Sequence, residues 1–498
     1  MDAIIQGLLS GLAPTNLMFA FLGCASGILF GALPGISSAM GVVLLLPFTY
    51  QMDGIPAIIL LVSNFCGSTF GGSVTSILFA TPGTPESVMT VLDGHPMHKQ
   101  GKGGKALGLA TSASIMGGLF SATMMVILVV PLSKVALEFG PAEYVALGIL
   151  GMTAIAGLGS GSQLKTLISG VLGLVLATFG TDEITGITRF NFGSAEFVNG
   201  IHFIPVMIGA FALSEVFMQA MEKIQRHDLS MTKKVKVEFM TWVEFLRYKW
   251  VILKSAVIGM VVGVLPGTGG TIASVLAYSE AVRSSEQSEK FGTGMPEGVV
   301  APETANNAST GGALVPTLTL GIPGSGTTAV ILGAFIVHGM RPGPLLFISQ
   351  PTLLYAVFIS MIIANIMLFW GGIYGVRIFA QVSRFPYFLQ GPTILLLCFI
   401  GSFALGTDMM NAWIMLLAGV VGFFMKKYGF NIAGLVLGLV LGELIEANIR
   451  KMMIIAGGDW LELFLRPIAG PIFLLAFGAM MVPHVKKWIS IRKIQTAE

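Results

Sequence analysis

Charge is scarce in this sequence. Of 498 residues only 11% are Asp, Glu, Lys or Arg, against 54% hydrophobic, and mean hydropathy is +0.83. So little polar material cannot cover a soluble globule, so the chain is expected in a lipid bilayer as a polytopic membrane protein. The net charge of +3 is small and its basic residues fall in short loops, which excludes nucleic acid as a partner and leaves those residues to set topology. Cysteine is scarce too. Cys24, Cys66 and Cys398 sit in apolar surroundings, with no CxxC and no metal-ligand spacing, so they read as small buried apolar residues rather than a disulfide framework. Catalytic signatures are missing. The GKGGK run at Gly101–Lys105 lacks the spacing and the hydroxyl of a phosphate loop, and no GxSxG, HExxH or kinase signature occurs, so no enzyme activity is expected. His95 and His98 have no third ligand in view and read as loop residues. The N-terminal stretch MDAIIQGLLSGLAP lacks the positive region of a secretory signal and reads as an interfacial helix of the mature chain.

What is present is a series of apolar segments interrupted by glycine and proline. Residues 16–33 and 36–50 flank Pro34 and Gly35, and neither half alone reaches the ~20 residues of a full span, so a discontinuous helix is expected. Residues 55–80 carry Asn64, Ser68, Thr69, Gly71, Gly72 and Ser73 and end at TPGTPES, where Thr84, Pro85 and Glu86 read as an N-cap, a first-turn proline and an acidic first turn. Residues 95–105, with three lysines and two histidines, read as a hydrophilic cytoplasmic loop. Spans are expected at 106–130, 141–157, 164–180 and 200–221. A polar, basic linker at 223–249 is expected in the cytoplasm and divides a first membrane repeat, 1–222, from a second, 250–498, which has an additional C-terminal helix. The second half breaks at Pro266–Gly267. It then passes through a polar segment into the amide- and hydroxyl-rich stretch Asn306–Thr328, closed by a turn at Pro323–Gly324–Ser325. Spans follow at 345–379, 393–406, 409–425, 432–449 and 467–485.

The halves repeat. Gly31-Ala32-Leu33-Pro34-Gly35 recurs 232 positions later as Gly263-Val264-Leu265-Pro266-Gly267. Ser68-Thr69 with Gly71 recurs as Ser309-Thr310 with Gly312, and Pro82-Gly83 as Pro323-Gly324, both 241 positions later. Gly170, Gly173 and Gly180 recur as Gly419, Gly422 and Gly429. If the segments around Pro82 and Pro323 are re-entrant hairpins, the first half crosses the membrane an odd number of times and the second enters from the other side. The expected fold is therefore all-α, with two inverted repeats, broken helices, re-entrant hairpins and about 11–12 transmembrane segments, a pattern of secondary transporters.

Helix N-termini after Pro34–Gly35, Pro82–Gly83, Pro266–Gly267 and Pro323–Gly324 would aim amides and positive dipole ends inward, as a carboxylate requires. Glycines Gly71, Gly311 and Gly312 would let backbone approach a ligand. Thr84, Ser325 and the amides of Asn64, Asn306 and Asn307 supply neutral donors. Oxygens near Ser68, Thr69, Ser309 and Thr310, with unwound carbonyls, suit a small hard cation such as sodium. The motifs lack Arg and Lys, so a multiply charged anion there calls for co-bound cations. Against this stands close helix packing through small residues. Glu86 and Glu303 flank the two motif regions as helix caps or coupling-ion ligands, and Glu446 with Arg450 reads as an i,i+4 pair near a membrane edge.

At LPG, STFGG, TPGTPES, DGHPM, the second LPG, APETANNASTGG and GIPGSGTT, the sequence resembles the large integral-membrane subunit of the tripartite tricarboxylate transporter family, over nearly the whole chain. The resemblance implies a multi-pass permease of the bacterial inner membrane that works with a small four-helix membrane subunit and a periplasmic solute-binding protein. It also implies uptake of citrate-like carboxylates driven by a sodium or proton gradient, with no other cofactor. Two other classes stay open on the residues alone: a membrane-embedded enzyme using Glu303, His95 or His98, and a passive anion channel.

Overall fold

The computed structural model describes residues 2–33, 35–158, 162–182, 185–193, 195–221, 236–267, 269–375, 387–405, 407–457, 459, 464, 466–478 and 480–481. Pro34, residues 222–235 of the expected linker and the basic tail lie outside them. The chain is an all-α polytopic membrane protein. Among the described residues strand occurs only at Gly180–Thr181 and Thr188–Arg189, which pair antiparallel. Among the described residues seven helices are long and apolar enough to cross a bilayer, and shorter apolar helices such as Ser38–Thr49 and Gly326–Val337 accompany them.

Helix α1 (Asp2–Gly11) lies against the later helix Pro351–Trp370, where a methyl group at Gly7 would stand 2.3 Å from Tyr355 Cβ. The first half then runs through α2 (Pro14–Gly31), α3 (Ser38–Thr49), α4 (Gly54–Phe79), α5 (Val88–Met97), α6 (Gly103–Ala136), α7 (Pro141–Leu158) and α8 (Gln163–Ala177). Next come α9 (Phe203–Met207), a π-helical stretch at Ile208–Leu213, and α10 (Ser214–Met221). The second half runs through α11 (Trp242–Val264), α12 (Gly269–Ser284), α13 (Glu297–Leu320), α14 (Gly326–Val337), α15 (Leu346–Ser349), α16 (Pro351–Trp370), α17 (Tyr387–Ala404), α18 (Met409–Lys427) and α19 (Ile432–Ile455).

The breaks fall where expected. α2 stops before Gly35 and α11 before Gly267. Both glycines take left-handed φ values of +87° and +76°, which a side chain rarely adopts. α4 and α13 end on left-handed residues 241 positions apart, Ala80 at φ +54° and Gly321 at φ +71°.

Three expectations are corrected. Residues 95–105 are not a loop: α5 continues to Met97 and leads through a π-helical turn, His98–Lys102, with left-handed Gly101, into α6. The linker does not extend to residue 249. Thr241 accepts the amide of Glu244 while the Glu244 carboxylate accepts from the Thr241 backbone, and this reciprocal capping box starts α11 at Trp242. Nor are carbonyls unwound at the polar motifs. α4 and α13 are continuous through Asn64–Ser73 and Asn306–Thr319, and the chain departs from helix only at residues 80–84 and 321–325.

Candidate functional site

The two polar helices form the buried centre of the molecule: α4 from Ala57 to Leu78 and α13 from Gly298 to Thr319 are inaccessible to solvent. Each is met by the broken helix of its own half through backbone contacts that recur at the repeat offsets. A methyl at Gly27 would lie 2.3 Å from the Asn64 carbonyl oxygen, and one at Gly259 would lie 2.2 Å from that of Ala305. At Gly31 the obstacle is the Ser68 carbonyl at 2.2 Å, and at Gly263 that of Ser309 at 2.6 Å. Gly71 faces the Ile28 carbonyl and Gly312 that of Met260, where a methyl would lie 2.5 Å from either oxygen. The turns repeat as well. A methyl at Gly83 would lie 2.0 Å from the Gly31 carbonyl oxygen, and one at Gly324 2.7 Å from that of Gly263. Helices this close leave no room for side chains, so these small residues are helix-packing contacts in the described conformation. Gly311 likewise meets Ser121 of α6, at 2.6 Å.

The polar side chains behave differently. Ser68 and Thr69 both donate to the Phe65 carbonyl, at 3.1 and 2.8 Å. Ser309 donates to Asn306 O and Thr310 to Asn307 O, both at 2.7 Å. Their protons are thus spent within the helix, while their lone pairs stay available. The asparagines anchor through nitrogen: Asn64 Nδ2 to Ser26 Oγ at 3.2 Å, Asn306 Nδ2 to the Thr69 carbonyl at 3.4 Å, and Asn307 Nδ2 to the Glu303 carbonyl at 3.3 Å. Their amide oxygens, Oδ1 of Asn64, Asn306 and Asn307, are buried with no hydrogen-bond partner. Asn64 Oδ1 faces Gly41 of α3. Asn306 Oδ1 faces Gly270 of α12, whose bare Cα also admits Glu86 and Ser309. Each half thus turns an unsatisfied acceptor toward a glycine on the helix that follows its break. A buried acceptor without a donor is costly, and oxygens of this kind fit a cation better than an anion.

The helix starts supply the complementary chemistry. Thr84 stands at the N-cap position of a short helical turn at Pro85–Ser87, with Pro85 first and Glu86 next, but its hydroxyl makes no capping bond. Ser325 caps α14, and its hydroxyl accepts the Thr328 amide at 3.2 Å in a capping box. The preceding amides, at Gly326 and Thr327, have no intrahelical carbonyl to bond and point out of the helix end. Pro266 and Gly267 form the turn before α12, and Gly267 N donates to Gly324 O at 2.8 Å, so the two turns of the second half, at Pro266 and at Pro323, are tied together. On its other side Gly267 meets Ile155 of α7, while Gly35 meets Gln219 of α10.

Two carboxylates shape this region. Asp93, fully buried on α5, accepts from Gly292 N and Gly294 N at 2.9 Å, from Met295 N at 2.8 Å and from the Tyr278 hydroxyl at 2.9 Å. It holds a second-half loop against a first-half helix. The sequence carried it only as a letter in DGHPM. Glu303, fully buried on α13, accepts from Ser73 at 2.5 Å, from Thr90, and from Ser114 at 3.1 Å. The three hydroxyls were missed because they lie on three different helices.

A cavity of about 440 Å³ lies apart from these motifs, between the 180–189 hairpin and the end of α19. Its guanidiniums are matched by carboxylates: Arg189 with Glu446 at 2.5 Å, and Arg450 with Asp182 and, at 2.8 Å, with Glu446. The expected Glu446–Arg450 pair is therefore one edge of a larger network. The three cysteines are free and buried, as expected.

A family model described as the tripartite tricarboxylate transporter TctA family matches residues 17–437. An "uncharacterized 52.8 kDa protein in TAR-I ttuC' 3'region" of Agrobacterium vitis is 35% identical over 476 residues, 96% of this chain and 94% of that protein. An "uncharacterized protein in TAR-II ttuC' 3'region" of the same organism is 36% identical over 224 residues, 45% of this chain and 92% of that protein. No solved structure matches the chain.

Proposed function

Because the chain belongs to the tripartite tricarboxylate transporter TctA family, and so is a multi-pass membrane transporter rather than an enzyme, we propose that it is the large permease subunit of a binding-protein-dependent secondary carrier. It imports tricarboxylates or related carboxylates, driven by a cation gradient across the bacterial inner membrane. Its partners are a small four-helix membrane subunit and a periplasmic solute-binding protein.

The observation that carries this reading is the pair of unsatisfied amide oxygens, Asn64 Oδ1 and Asn306 Oδ1, one on the buried polar helix of each half and each facing a glycine of the helix that follows that half's break. Those oxygens take a cation. The amides at the start of α14, and the corresponding turn at Pro82–Thr84, take the carboxylate. Neutral groups alone hold a multiply charged anion poorly in low dielectric, so cation and anion bind together or not at all. Such mutual dependence is what couples the two fluxes.

The packing also supports a moving part. Among the described glycines, the closest backbone approaches fall into two sets. One joins α2, α4, α6, α11 and α13. The other joins α8, the α9–α10 segment, α18 and α19, as where a methyl at Gly438 would lie 2.1 Å from the Gly170 carbonyl oxygen and one at Gly209 2.1 Å from that of Met415. Around these sets, the glycines of the breaks and of α14 meet α7, α9 and α10 through side chains: Gly35 on Gln219 of α10, Gly267 on Ile155 of α7, and Gly333 of α14 on Phe203 of α9. Interfaces of side chains slide more readily than interlocked backbones, so the first set, with its hairpins, moves against the second.

The test is uptake of radiolabelled citrate into proteoliposomes containing the permease and its small subunit, with and without binding protein and a sodium or proton gradient. Accumulation above equilibrium only with a gradient is expected. Equilibration without a gradient would identify a channel instead.

A further inference from the structure

Glu303 has an arrangement that the site above does not use. Its carboxyl belongs to the second half, yet every side chain bonded to it comes from the first: Ser73 of α4, Thr90 of α5 and Ser114 of α6. It is fully buried, and no Lys, Arg or His among the described residues forms an ion pair with it. An ionised carboxylate there would be a buried charge balanced only by neutral hydroxyls, which is unfavourable unless a cation joins it.

We propose that Glu303 carries a proton and is the proton-coupling site of the transporter. This rests on the reading of the chain as a cation-driven carrier. The geometry favours a proton over a metal ion. A metal would have to stand between the hydroxyl and carboxyl oxygens, whereas Ser73 and Ser114 touch the carboxyl directly, at 2.5 and 3.1 Å. A proton needs no such gap. In the ionised form all three hydroxyls donate. In the neutral form the acid proton on Oε2 is donated to Ser114 Oγ, whose hydroxyl turns to accept. Protonation therefore exchanges one hydrogen bond for its reverse and leaves the three helices in place.

The other titratable groups on the surrounding elements are engaged elsewhere. Asp93, one turn beyond Thr90 on α5, is held by Tyr278 of α12 and the 292–295 amides. His95 contacts the Ile77 carbonyl, and Lys105 of α6 pairs with Glu244 of α11. Glu297 of α13, Tyr248 of α11 and Cys66 of α4 make no hydrogen bond to Glu303.

The experiment is infrared difference spectroscopy of the reconstituted full chain, titrated with pH at fixed sodium and then with sodium at fixed pH, comparing wild type with Glu303→Gln. The expected result is a protonated-carboxylic-acid band in wild type that disappears reversibly as pH rises, is unmoved by sodium, and is lost in the variant. Identical spectra for wild type and variant would overturn the proposal. So would a band that sodium abolishes at constant pH, or a Glu303 band that never titrates in transport-competent protein, which would mark a purely structural acid. Citrate uptake with the small subunit and binding protein is the second readout. Glu303→Gln should lose pH-driven citrate accumulation, and pH-driven accumulation by this variant would refute the site. A titrating band in protein that moves no citrate would support the proton site while contradicting the transport reading, so the two fail separately.

Discussion

At the scale of the residue, glycine and asparagine do opposite things. Gly31 and Gly263 exist to let carbonyls pass, and a methyl at either would overlap Ser68 or Ser309 backbone. Gly31→Ala and Gly263→Ala should each cost about 1–3 kcal/mol by overpacking, read as a lower thermal midpoint in detergent. Gly478→Ala, where nothing lies within 4 Å, should leave the midpoint unchanged. Asn64 and Asn306 hold an acceptor where the fold offers it no donor. Replacing either by Ala should reduce citrate uptake about tenfold or more, equivalent to about 1.4 kcal/mol of ligand binding. The thermal midpoint should move little, since removing an unsatisfied buried oxygen offsets the lost amide bond. Wild-type uptake by both variants would remove the asparagines from the site.

At the scale of the element, what holds a loop or starts a helix is a single polar side chain with several amides. Asp93→Ala removes the acceptor for Gly292, Gly294 and Met295. Each hydrogen bond to a charged group is worth about 1.5–3 kcal/mol, so hydrogen exchange at those three amides should accelerate by at least about tenfold in the variant. Ser325→Ala, which removes the α14 cap, should cost about 1 kcal/mol, measured by the thermal midpoint. Much at this scale was legible in the sequence. Pro–Gly pairs mark where α2, α11 and both hairpins break: glycine takes the left-handed turn at Gly35 and Gly267, while at the hairpins the left-handed residues are Ala80 and Gly321, two positions before the prolines. The Thr84–Pro85–Glu86 start was readable for the same local reason. The helical path through His95–Lys105 was not: charge suggested a loop, while Lys105 instead reaches Glu244 across 139 positions and His95 leans on Ile77. The interior of α13 misled in the opposite way. Its amides and hydroxyls read as unwound chain, yet Ser309 and Thr310 satisfy themselves on carbonyls one turn back, and the glycines face neighbouring helices. The donors around Glu303 sit on three helices whose adjacency no spacing in the sequence records.

At the scale of the whole molecule, duplication explains why a nearly uncharged interior is polar without being unstable. Each half lays a small-residue helix against a buried polar one, and the offsets of 232 and 241 positions bring Gly27 and Gly259, Gly31 and Gly263, and Gly83 and Gly324 to the same contacts. Where the halves meet, Asn306 reaches the Thr69 carbonyl and Glu303 reaches Ser73, Thr90 and Ser114. The half-sites thus share one interface, and at Gly35 and Gly333 the elements beside them meet α10 and α9 through side chains. Carrier action requires those two sets to move past one another. The most direct measurement is citrate uptake by a Phe203→Cys, Gly333→Cys double variant, whose positions face each other across that boundary with a Gly333 methyl 2.5 Å from the Phe203 ring. With the bridge oxidised, gradient-driven uptake should fall to background and return on reduction. Undiminished uptake with the bridge complete would contradict a moving carrier.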